Sequence, residues 1–402
     1  MSTFSTYQPQ LSMFGDAPMF ATANSSIVGT SNAPASTTVA ESTSVLQLHG
    51  QQQPSAALLQ QQLRMRKEIY RYTCDELLFA AAWSNKLYPD KRFRLVVGTL
   101  LDEESTRSNK AHLMRKISRV TPFLKVYIIE LDEGAGELVR KASIVHGYPC
   151  SATQFIPNTD VSQPELFATT STCLRIFRYH PAIASISQEC ELSSTLKTKS
   201  SAYSSPLTNL DWNEVDSTLV ATCSIDTTCT VWNIETSQPV GQAPTVKGMQ
   251  KTQLIAHEKP VHDIAFTRLD NGRDQFATAD SERRMLNHLS WNKRDPTKLA
   301  TVAHDSNEVV ILDVRIPCRP MARFGNHRGA INGITWAPHS TVHLCTAGSD
   351  RQALIWQMNH FNREEPILAY TAESEICQIH WSSNFHQWIS ICFGNSLEIL
   401  RV

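Results

Sequence analysis

Several features that mark particular classes of protein are missing from this sequence of 402 residues. Charge is nearly balanced, because 37 Lys and Arg stand against 38 Asp and Glu and leave a formal net charge of −1. A chain without a basic excess gives no reason to expect direct binding of nucleic acid. No run of about 18 apolar residues occurs, so we expect no membrane-spanning helix and no membrane partner.

The amino-terminal region lacks targeting features and apolar periodicity. No Lys or Arg precedes Arg64, and we expect neither a secretory signal nor a transit peptide. Residues 1–63 are rich in Ser, Thr, Ala and Gln, with only Asp16 and Glu41 as acidic residues. Too little apolar surface can be buried there to offset ordering, which predicts a disordered tail over 1–63 and a folded domain over 64–402. A dispensable tail is favoured over a transient partner-binding helix in 46–63.

Motifs of enzymes and metal sites are also missing. The chain contains no Gly-rich phosphate loop, no GxSxG elbow, no HExxH and no CxxC pair. Four of the ten cysteines fall within predicted strands, namely Cys223, Cys229, Cys345 and Cys392. We therefore predict buried free thiols in a reducing compartment, no metal ion, no cofactor and no catalytic activity.

The most informative stretch runs from His327 to Trp356 and reads as a meander of short antiparallel strands. INGITW alternates apolar and polar residues, VHLCTAG is a second apolar run, and SD turns into QALIW. Within it, Trp356, Thr346, His327 and Asp350 can form a buried chain of hydrogen bonds from indole to hydroxyl, imidazole and carboxylate. This structural role is favoured over a hydrolase triad of Ser349, His327 and Asp350.

The same spacings recur along the chain and define a repeat. A His and an Asp stand 23 residues apart twice, as His327 with Asp350 and as His257 with Asp280. An Asp precedes a Trp by six residues twice, as Asp350 with Trp356 and as Asp226 with Trp232. Three first-strand aromatics are spaced by 45 residues, namely Trp291, Trp336 and Trp381. Such a period is typical of the blades of a WD-repeat β-propeller, although Gln357 replaces the terminal Asp of the motif.

The repeat predicts an all-β, seven-bladed β-propeller whose fourth blade is incomplete. Phe266 and Trp291 hold equivalent first-strand positions only 25 residues apart, so about 20 residues of the period are missing after Leu286. We expect a three-stranded or distorted fourth blade with an open outer edge. We also expect the strand Glu68–Tyr72 to pair with Leu397–Leu400 and close the ring. In this division GELVRKASIV, KTQLI and EEPILAYT open blades two, four and seven.

From about Lys67 to Val402 the chain resembles the AN-eleven-like WD-repeat family, which includes the transparent-testa-glabra scaffolds and their animal, cullin-ligase-associated counterparts. The stretches that carry the resemblance are PDKRFRL, DWNEVD, SIDTTCTVW, KTQLIAH, GRDQFA, VVILDVRIPC, NHRGAINGITWAPHS, QALIW, EEPILAYTAE and LEILRV. The resemblance implies a non-catalytic scaffold in signalling and transcriptional regulation. Implied partners are protein kinases, helix-loop-helix or MYB-type transcription factors, Rac-type small GTPases and the adaptor of cullin-RING ubiquitin ligases.

Two departures from the family bear on function. Residues 110–124 look inserted, and the missing part of blade four removes a segment in which the family carries an Asp-x-Arg motif. The comparable motif of blade five, Asp313-Val314-Arg315, is present. The resemblance assigns ligase-adaptor contact to such a motif, so Asp313 and Arg315 are the candidate partner-binding residues, with a solvated turn pair as the alternative. A scaffold in cytoplasm and nucleus is our main hypothesis, and a substrate receptor of a cullin-RING ligase is the second.

Overall fold

The computed structural model describes residues 69–87, 93–100, 124–193, 205–237, 245–255, 257–268, 272–273, 275–281, 286–358 and 365–402. Glu68–Val402 groups into one compact unit. The predicted tail over 1–63 lies outside the described residues, and so does the predicted insertion over 110–124, apart from Leu124.

The described residues form 26 strands, which confirms the all-β class. The first nine are β1 (Ile69–Thr73), β2 (Leu77–Trp83), β3 (Arg94–Leu100), β4 (Lys125–Asp132), β5 (Glu137–Val145), β6 (Ala152–Phe155), β7 (Glu165–Thr170), β8 (Leu174–His180) and β9 (Ser185–Leu192). The next six are β10 (Leu207–Trp212), β11 (Leu219–Ser224), β12 (Thr228–Ser237), β13 (Thr245–Ile255), β14 (Val261–Phe266) and β15 (Phe276–Asp280).

The remaining eleven strands complete the chain. They are β16 (Leu286–Trp291), β17 (Lys298–Ala303), β18 (Val309–Asp313), β19 (Pro320–Phe324), β20 (Ile331–Trp336), β21 (His343–Gly348), β22 (Gln352–Gln357), β23 (Leu368–Thr371), β24 (Ile376–Trp381), β25 (Trp388–Phe393) and β26 (Ser396–Arg401). Within the described part of the chain, no helix has the length and apolarity needed to cross a membrane.

The strands form antiparallel sheets, which we number in chain order. Sheet 1 contains β2–β5, sheet 2 β6–β9, sheet 3 β10–β13, sheet 5 β16–β19 and sheet 6 β20–β23. Sheet 7 contains β24–β26 together with β1, and sheet 4 is the pair β14 and β15. Six sheets are thus complete four-stranded blades of a WD-repeat propeller.

Sheet 4 has two strands in the described ranges, so an incomplete blade is present, whereas the three-stranded form of the expected three-stranded or distorted blade was wrong. Leu286 already begins the first strand of sheet 5. Only five residues separate Asp280 from Leu286, which is too few to form another strand and return to the ring. The missing sequence therefore removes the third strand as well as the fourth.

The sequence repeat is offset by one strand from the sheets. GELVRKASIV forms β5 of sheet 1, KTQLI belongs to β13 of sheet 3, and ILAYT to β23 of sheet 6. The prediction that these segments open blades two, four and seven was therefore wrong. Each is the outer strand of the preceding sheet, and the chain then returns to the centre to begin the next one.

The first strands of successive sheets surround a central cavity of about 770 Å³. They contact one another in the cyclic order β2, β6, β10, β14, β16, β20 and β24, and β24 contacts β2. Each ends in an aromatic residue, and these are Trp83, Phe155, Trp212, Phe266, Trp291, Trp336 and Trp381. The predicted first-strand positions of the three Trp residues at the 45-residue period are confirmed.

Side chains of the inner strands bind the backbone of the neighbouring sheet. Asp211 on β10 accepts a hydrogen bond from the N–H of Phe266 at 2.7 Å. Asp263 on β14 accepts one from Leu289 at 2.7 Å. The N–H of Trp212 donates to the amide oxygen of Gln154 at 2.8 Å. Because each bond links two sheets, the short sheet 4 is held in the ring from both sides.

The ring is closed by pairing of the chain termini of the folded unit, as predicted. β1 pairs antiparallel with β26, with Ile69 opposite Leu400 and Tyr72 opposite Leu397. Arg71 adds an ion pair of 2.6 Å to Glu398 across this pairing. The buried Ile399 of β26 packs in a core cluster shared with sheet 1. Closure therefore depends on apolar burial as well as on the strand ladder.

Replacing Ile399 by Ala should destabilise the whole ring. Ile399 is fully buried, and truncating a buried Ile costs about 2–5 kcal/mol through lost burial and the cavity left behind. Thermal and urea unfolding of the purified protein measure the loss. Arg401→Ala, at the exposed end of the same strand, is the matched control and should change stability by less than about 0.5 kcal/mol. Equal, small effects of both substitutions would show that closure contributes little.

Candidate protein-interaction site

In sheet 6 the four polar side chains of the repeat motif form a continuous chain of hydrogen bonds. The indole N–H of Trp356 on β22 donates to the hydroxyl of Thr346 on β21 at 2.8 Å. The hydroxyl lies 2.7 Å from Nε2 of His327, and Nδ1 of His327 lies 2.9 Å from Oδ2 of Asp350. With Nδ1 protonated, every donor in this chain faces an acceptor.

Burial makes this chain a structural element rather than a reactive one. The side chain of His327 is 0% exposed, and this burial lowers the pKa of the imidazole although Asp350 opposes the shift. The hydroxyl of Ser349 accepts a hydrogen bond from the amide of Asn332 at 3.1 Å. Since the imidazole is already engaged by Thr346 and Asp350, it has no lone pair to offer Ser349 as a base.

Sheet 3 contains part of the same chain. The indole N–H of Trp232 on β12 donates to the hydroxyl of Thr222 at 2.8 Å. Asp226 instead accepts hydrogen bonds from the N–H and the hydroxyl of Thr228, at 3.1 and 2.6 Å. The structure thus places Asp226 as the acceptor that closes the tight turn between β11 and β12, outside the contact between Trp232 and Thr222.

Sheet 4 contains the His, Thr and Asp members without an indole. Nε2 of His257 lies 2.7 Å from the hydroxyl of Thr278, and its Nδ1 lies 2.8 Å from Oδ2 of Asp280. A Trp would stand on the third strand, which this sheet does not have. The side chain of His257 is 17% exposed, whereas that of His327 is fully buried.

The equal spacing of the two His–Asp pairs predicted that Asp280 is equivalent to Asp350, and this prediction was wrong. Asp280 pairs with Val261 in the ladder, as Gly348 pairs with Ile331 in sheet 6. Asp280 therefore occupies the position of Gly348, two residues before that of Asp350. The connection between the paired residues Phe266 and Phe276 is two residues longer than that between Trp336 and Leu344, and this extra length produced the coincidence.

A related arrangement in sheet 2 escaped the sequence reasoning. Nε2 of His146 lies 2.8 Å from the hydroxyl of Thr169, and Nδ1 lies 2.6 Å from the carbonyl oxygen of Tyr148. Phe177 pairs with Phe167 as Trp356 pairs with Leu344, so a ring without a donor stands in the Trp position. The His–Thr separation alone, without Asp or Trp, was too weak a signal.

The candidate partner-binding residues lie at the end of β18 in sheet 5. Nε and Nη2 of Arg315 bind the two carboxylate oxygens of Asp313 at 2.9 and 2.6 Å, and its backbone N–H binds Oδ1 at 3.0 Å. The Arg315 guanidinium lowers the pKa of Asp313 to about 2. The Asp313 side chain is 10% exposed, whereas that of Arg315 is 68% exposed.

This geometry presents a cation in a fixed orientation. A two-point bond to a nearly buried carboxylate restricts the guanidinium while its outer edge stays in solvent. Asp313 and Arg315 therefore form the turn pair that was the alternative prediction, and the guanidinium of Arg315 is still accessible to a partner.

No group of three or more His, Cys, Asp or Glu side chains in the described part of the chain is arranged to hold a metal ion. All ten cysteines carry free thiols, and burial raises the pKa of the Cys150 and Cys377 thiols to about 12.

Comparison with known proteins agrees with this architecture. The family described as "WD domain, G-beta repeat" matches residues 191–233 and 318–357. The "DDB1- and CUL4-associated factor 7 homolog" of Dictyostelium discoideum is 38% identical over 361 residues, covering 84% of this chain and 99% of that protein. The chain belongs to the WD-repeat family of this protein. Membership of the narrower AN-eleven-like group stays a prediction.

More distant relatives are also WD-repeat proteins. An uncharacterised WD repeat-containing protein of Schizosaccharomyces pombe is 25% identical over 68% of this chain and 80% of its own length. A WD repeat-containing protein of Saccharomyces cerevisiae is 30% identical over 56% of this chain and 50% of its own length. None of these three relatives is named for an enzymatic activity.

The buried chain in sheet 6 should act as a unit. Thr346→Val leaves the imidazole and the indole without their shared partner and should cost about 1–3 kcal/mol. Trp356→Phe removes the indole N–H that donates to Thr346. The two substitutions together should therefore cost about 0.5–1.5 kcal/mol less than the sum of their separate effects. Urea unfolding measures the coupling. Trp232→Phe combined with Thr346→Val is the control and should be additive, because the two side chains belong to separate hydrogen-bond chains in sheets 3 and 6. Additive effects of Thr346→Val and Trp356→Phe as well would contradict a linked chain in sheet 6.

Acid should destabilise the fold through its buried histidines. Burial lowers the pKa of His146 to about 4, from an ordinary value near 6.5. The unfolded chain therefore binds this proton first, so the contribution is present above about pH 6.5 and is lost as the pH falls towards 4, by about 2 kcal/mol at pH 5.

The test compares melting temperatures at pH 7 and pH 5. His146→Gln should reduce the pH-dependent loss, whereas His386→Gln, which changes an exposed imidazole, should leave it unchanged. The same pH dependence in both variants would contradict this assignment.

Proposed function

We propose that the protein is a non-catalytic scaffold that acts as a substrate receptor of a cullin-RING ubiquitin ligase. The Dictyostelium relative is named as a homolog of DDB1- and CUL4-associated factor 7, and the alignment covers 99% of that protein. Alignment over nearly the whole length supports a shared mode of assembly better than a match to one repeat would. A rigid ring that holds a ligase adaptor and a second protein raises their effective concentration for each other.

Arg315 is the residue that we propose contacts DDB1. The observation that carries this choice is its combination of 68% side-chain exposure with a two-point bond to Asp313. A side chain already fixed in solvent loses less conformational entropy on binding than a free one. Arg is also among the residues that most often dominate the binding energy of interfaces.

We infer that the ring is seven-bladed and that sheet 4 is its reduced fourth blade. The cyclic contacts of the seven inner strands and the aromatic residue at the end of each one support this count. Without a third strand, sheet 4 has no place for the second Asp-x-Arg motif that the family resemblance implies. The proposed adaptor contact therefore rests on sheet 5.

The proteins delivered by such a receptor stay predictions from the resemblance. They are protein kinases, helix-loop-helix or MYB-type transcription factors and Rac-type small GTPases, with action in signalling and transcription in the cytoplasm and nucleus. Affinity purification of the full chain followed by mass spectrometry checks them. Recovery of ligase components without any of these classes would leave the receptor proposal standing and remove the broader one.

Replacing Arg315 by Ala should weaken DDB1 binding. Loss of an interface Arg of this kind costs about 2 kcal/mol or more, which corresponds to an increase in Kd of about thirtyfold or more. The measurement is titration of purified DDB1 against the full chain by biolayer interferometry. Urea unfolding is measured alongside, because the variant also loses the ion pair with Asp313, and a loss of stability of less than about 1 kcal/mol would leave the protein folded in the titration.

Arg323→Ala is the matched control for this experiment. Arg323 lies on β19 of the same sheet, is 44% exposed and forms an ion pair of 2.8 Å with Glu308. Its removal should change the Kd by less than about twofold, as expected for a peripheral exposed pair. Equal Kd values for Arg315→Ala and the unchanged protein would reject Arg315 as the contact. Absence of any DDB1 binding by the unchanged protein would reject the receptor function itself.

A further inference from the structure

Among the described residues, no strand pairs with the outer edge of β15. The N–H of Thr267 bonds to the carbonyl of Gln275, so alternation along the antiparallel ladder directs the backbone groups of Ala277 and Ala279 towards β14. Those of Phe276 and Thr278 point to the other side. Sheet 4 thus presents a short row of backbone donors and acceptors of the kind that accepts an additional strand.

The side chains next to this edge match those that contact the third strand in sheets 3 and 6. In sheet 6 Trp356 lies opposite Leu344 and its indole donates to Thr346. In sheet 3 Trp232 lies opposite Val220 and donates to Thr222. In both sheets the Trp lies opposite the residue that is two positions before the accepting Thr on the second strand.

The equivalent positions in sheet 4 can be read from its register. Phe266 pairs with Phe276 as Trp336 pairs with Leu344, so Thr278 is the equivalent of Thr346. The hydroxyl of Thr278 donates to His257, and its oxygen can still accept a hydrogen bond. An indole on a strand opposite Phe276 would reach it.

The position equivalent to Phe324 of sheet 5 also leaves apolar surface exposed. Phe324, three residues before His327, is buried and stacks on Trp356 with ring centroids 5.1 Å apart. Leu254, three residues before His257, is only half-buried, and the neighbouring Ile255 is 75% exposed. An incoming aromatic ring would bury part of this surface.

We propose that the outer edge of β15 binds an extended peptide segment of a partner protein, which adds as an antiparallel strand and places a Trp opposite Phe276. The residues before that Trp should be apolar or β-branched, as Leu-Ile before Trp356 and Thr-Val before Trp232 are. Main-chain hydrogen bonds supply affinity, and the indole bond to Thr278 supplies selectivity.

A second copy of the chain fits this edge less well. Two β15 strands could pair through their open edges, but β15 contains no Trp to satisfy Thr278. The site lies on sheet 4 and the proposed DDB1 contact on sheet 5, so this inference goes beyond the proposed function and does not depend on it.

The probe is a peptide with the sequence of residues 350–358, DRQALIWQM, which contains the third strand of sheet 6. Fluorescence polarisation of the labelled peptide against the full chain should show saturable binding with a Kd below about 100 µM, the range of weak peptide recognition. N-methylation of the residues corresponding to Leu354 and Trp356 removes the N–H groups that face β15 and should abolish binding. N-methylation at Ala353 and Ile355, which face away, should leave it.

A double-mutant cycle tests the indole contact. Replacing the peptide Trp by Phe should weaken binding to the unchanged protein about threefold to tenfold, the value of one hydrogen bond. The same replacement should have no effect on binding to Thr278→Val, where the acceptor is missing. Thr346→Val, at the equivalent position of the complete sheet 6, is the matched protein control and should retain the full effect of the Trp replacement.

Three outcomes would overturn the proposal. They are no saturable binding of the unmodified peptide, equal loss with both patterns of N-methylation, and the same Trp-to-Phe effect on Thr278→Val and on the unchanged protein. A concentration-dependent dimer that the peptide dissociates would instead identify a second copy as the occupant and would also reject the partner peptide. DDB1 binding is measured separately, so failure here and failure of the receptor function are distinguishable.

Discussion

A buried indole N–H must find an acceptor, and for the third-strand Trp residues of sheets 3 and 6 that acceptor is a threonine hydroxyl on the second strand. In sheet 6 the hydroxyl of Thr346 donates a hydrogen bond to Nε2 of His327, whose Nδ1–H in turn donates to Asp350. Leaving any of these groups unpaired in the core would cost more than the bond itself contributes. These hydrogen bonds therefore fix the third strand, the second strand and the loop before the first strand relative to one another.

Sheets 2 and 4 contain the same His–Thr contact with substitutions around it. In sheet 2 the Phe177 ring needs no acceptor, and the carbonyl of Tyr148 replaces the carboxylate as the partner of His146. In sheet 4 the third strand is missing, and His257 and Thr278 remain partly open to solvent. Bonds such as that from Phe266 to Asp211 keep this reduced sheet in place. Departures from the repeat can therefore create binding surfaces without breaking the ring.

Much of the architecture follows from the sequence because the period is strong. Trp291, Trp336 and Trp381 marked three inner strands, and the pairing of the first strand with the last was foreseen from closure. The sheet that each outer strand joins was not predicted correctly, because a sequence unit such as KTQLIAH continues across the boundary between two sheets. Apolar pattern identifies a strand, but its partner is chosen by three-dimensional packing.

The candidate sites show a similar division. The motif Asp313-Val314-Arg315 could be located by sequence, but its two-point bond and the exposure of Arg315 are properties of the turn after β18. Equal spacing made Asp280 look like Asp350, because residue counts do not reveal that one loop is longer. The open edge was expected from the missing length, whereas the vacant acceptor on Thr278 required the register.

In the part of the chain that the structure describes, sheet 4 ends at its second strand, which leaves the outer edge of β15 open. Residue-resolved hydrogen exchange by NMR tests this open edge most directly. We expect rapid exchange of the outward amides of Phe276 and Thr278, slow exchange of Ala277 and Ala279, and slow exchange of Leu344 and Thr346, whose amides face β22. Protection of Phe276 and Thr278 equal to that of Leu344 and Thr346 would mean that the edge is already covered and would contradict an open edge of β15.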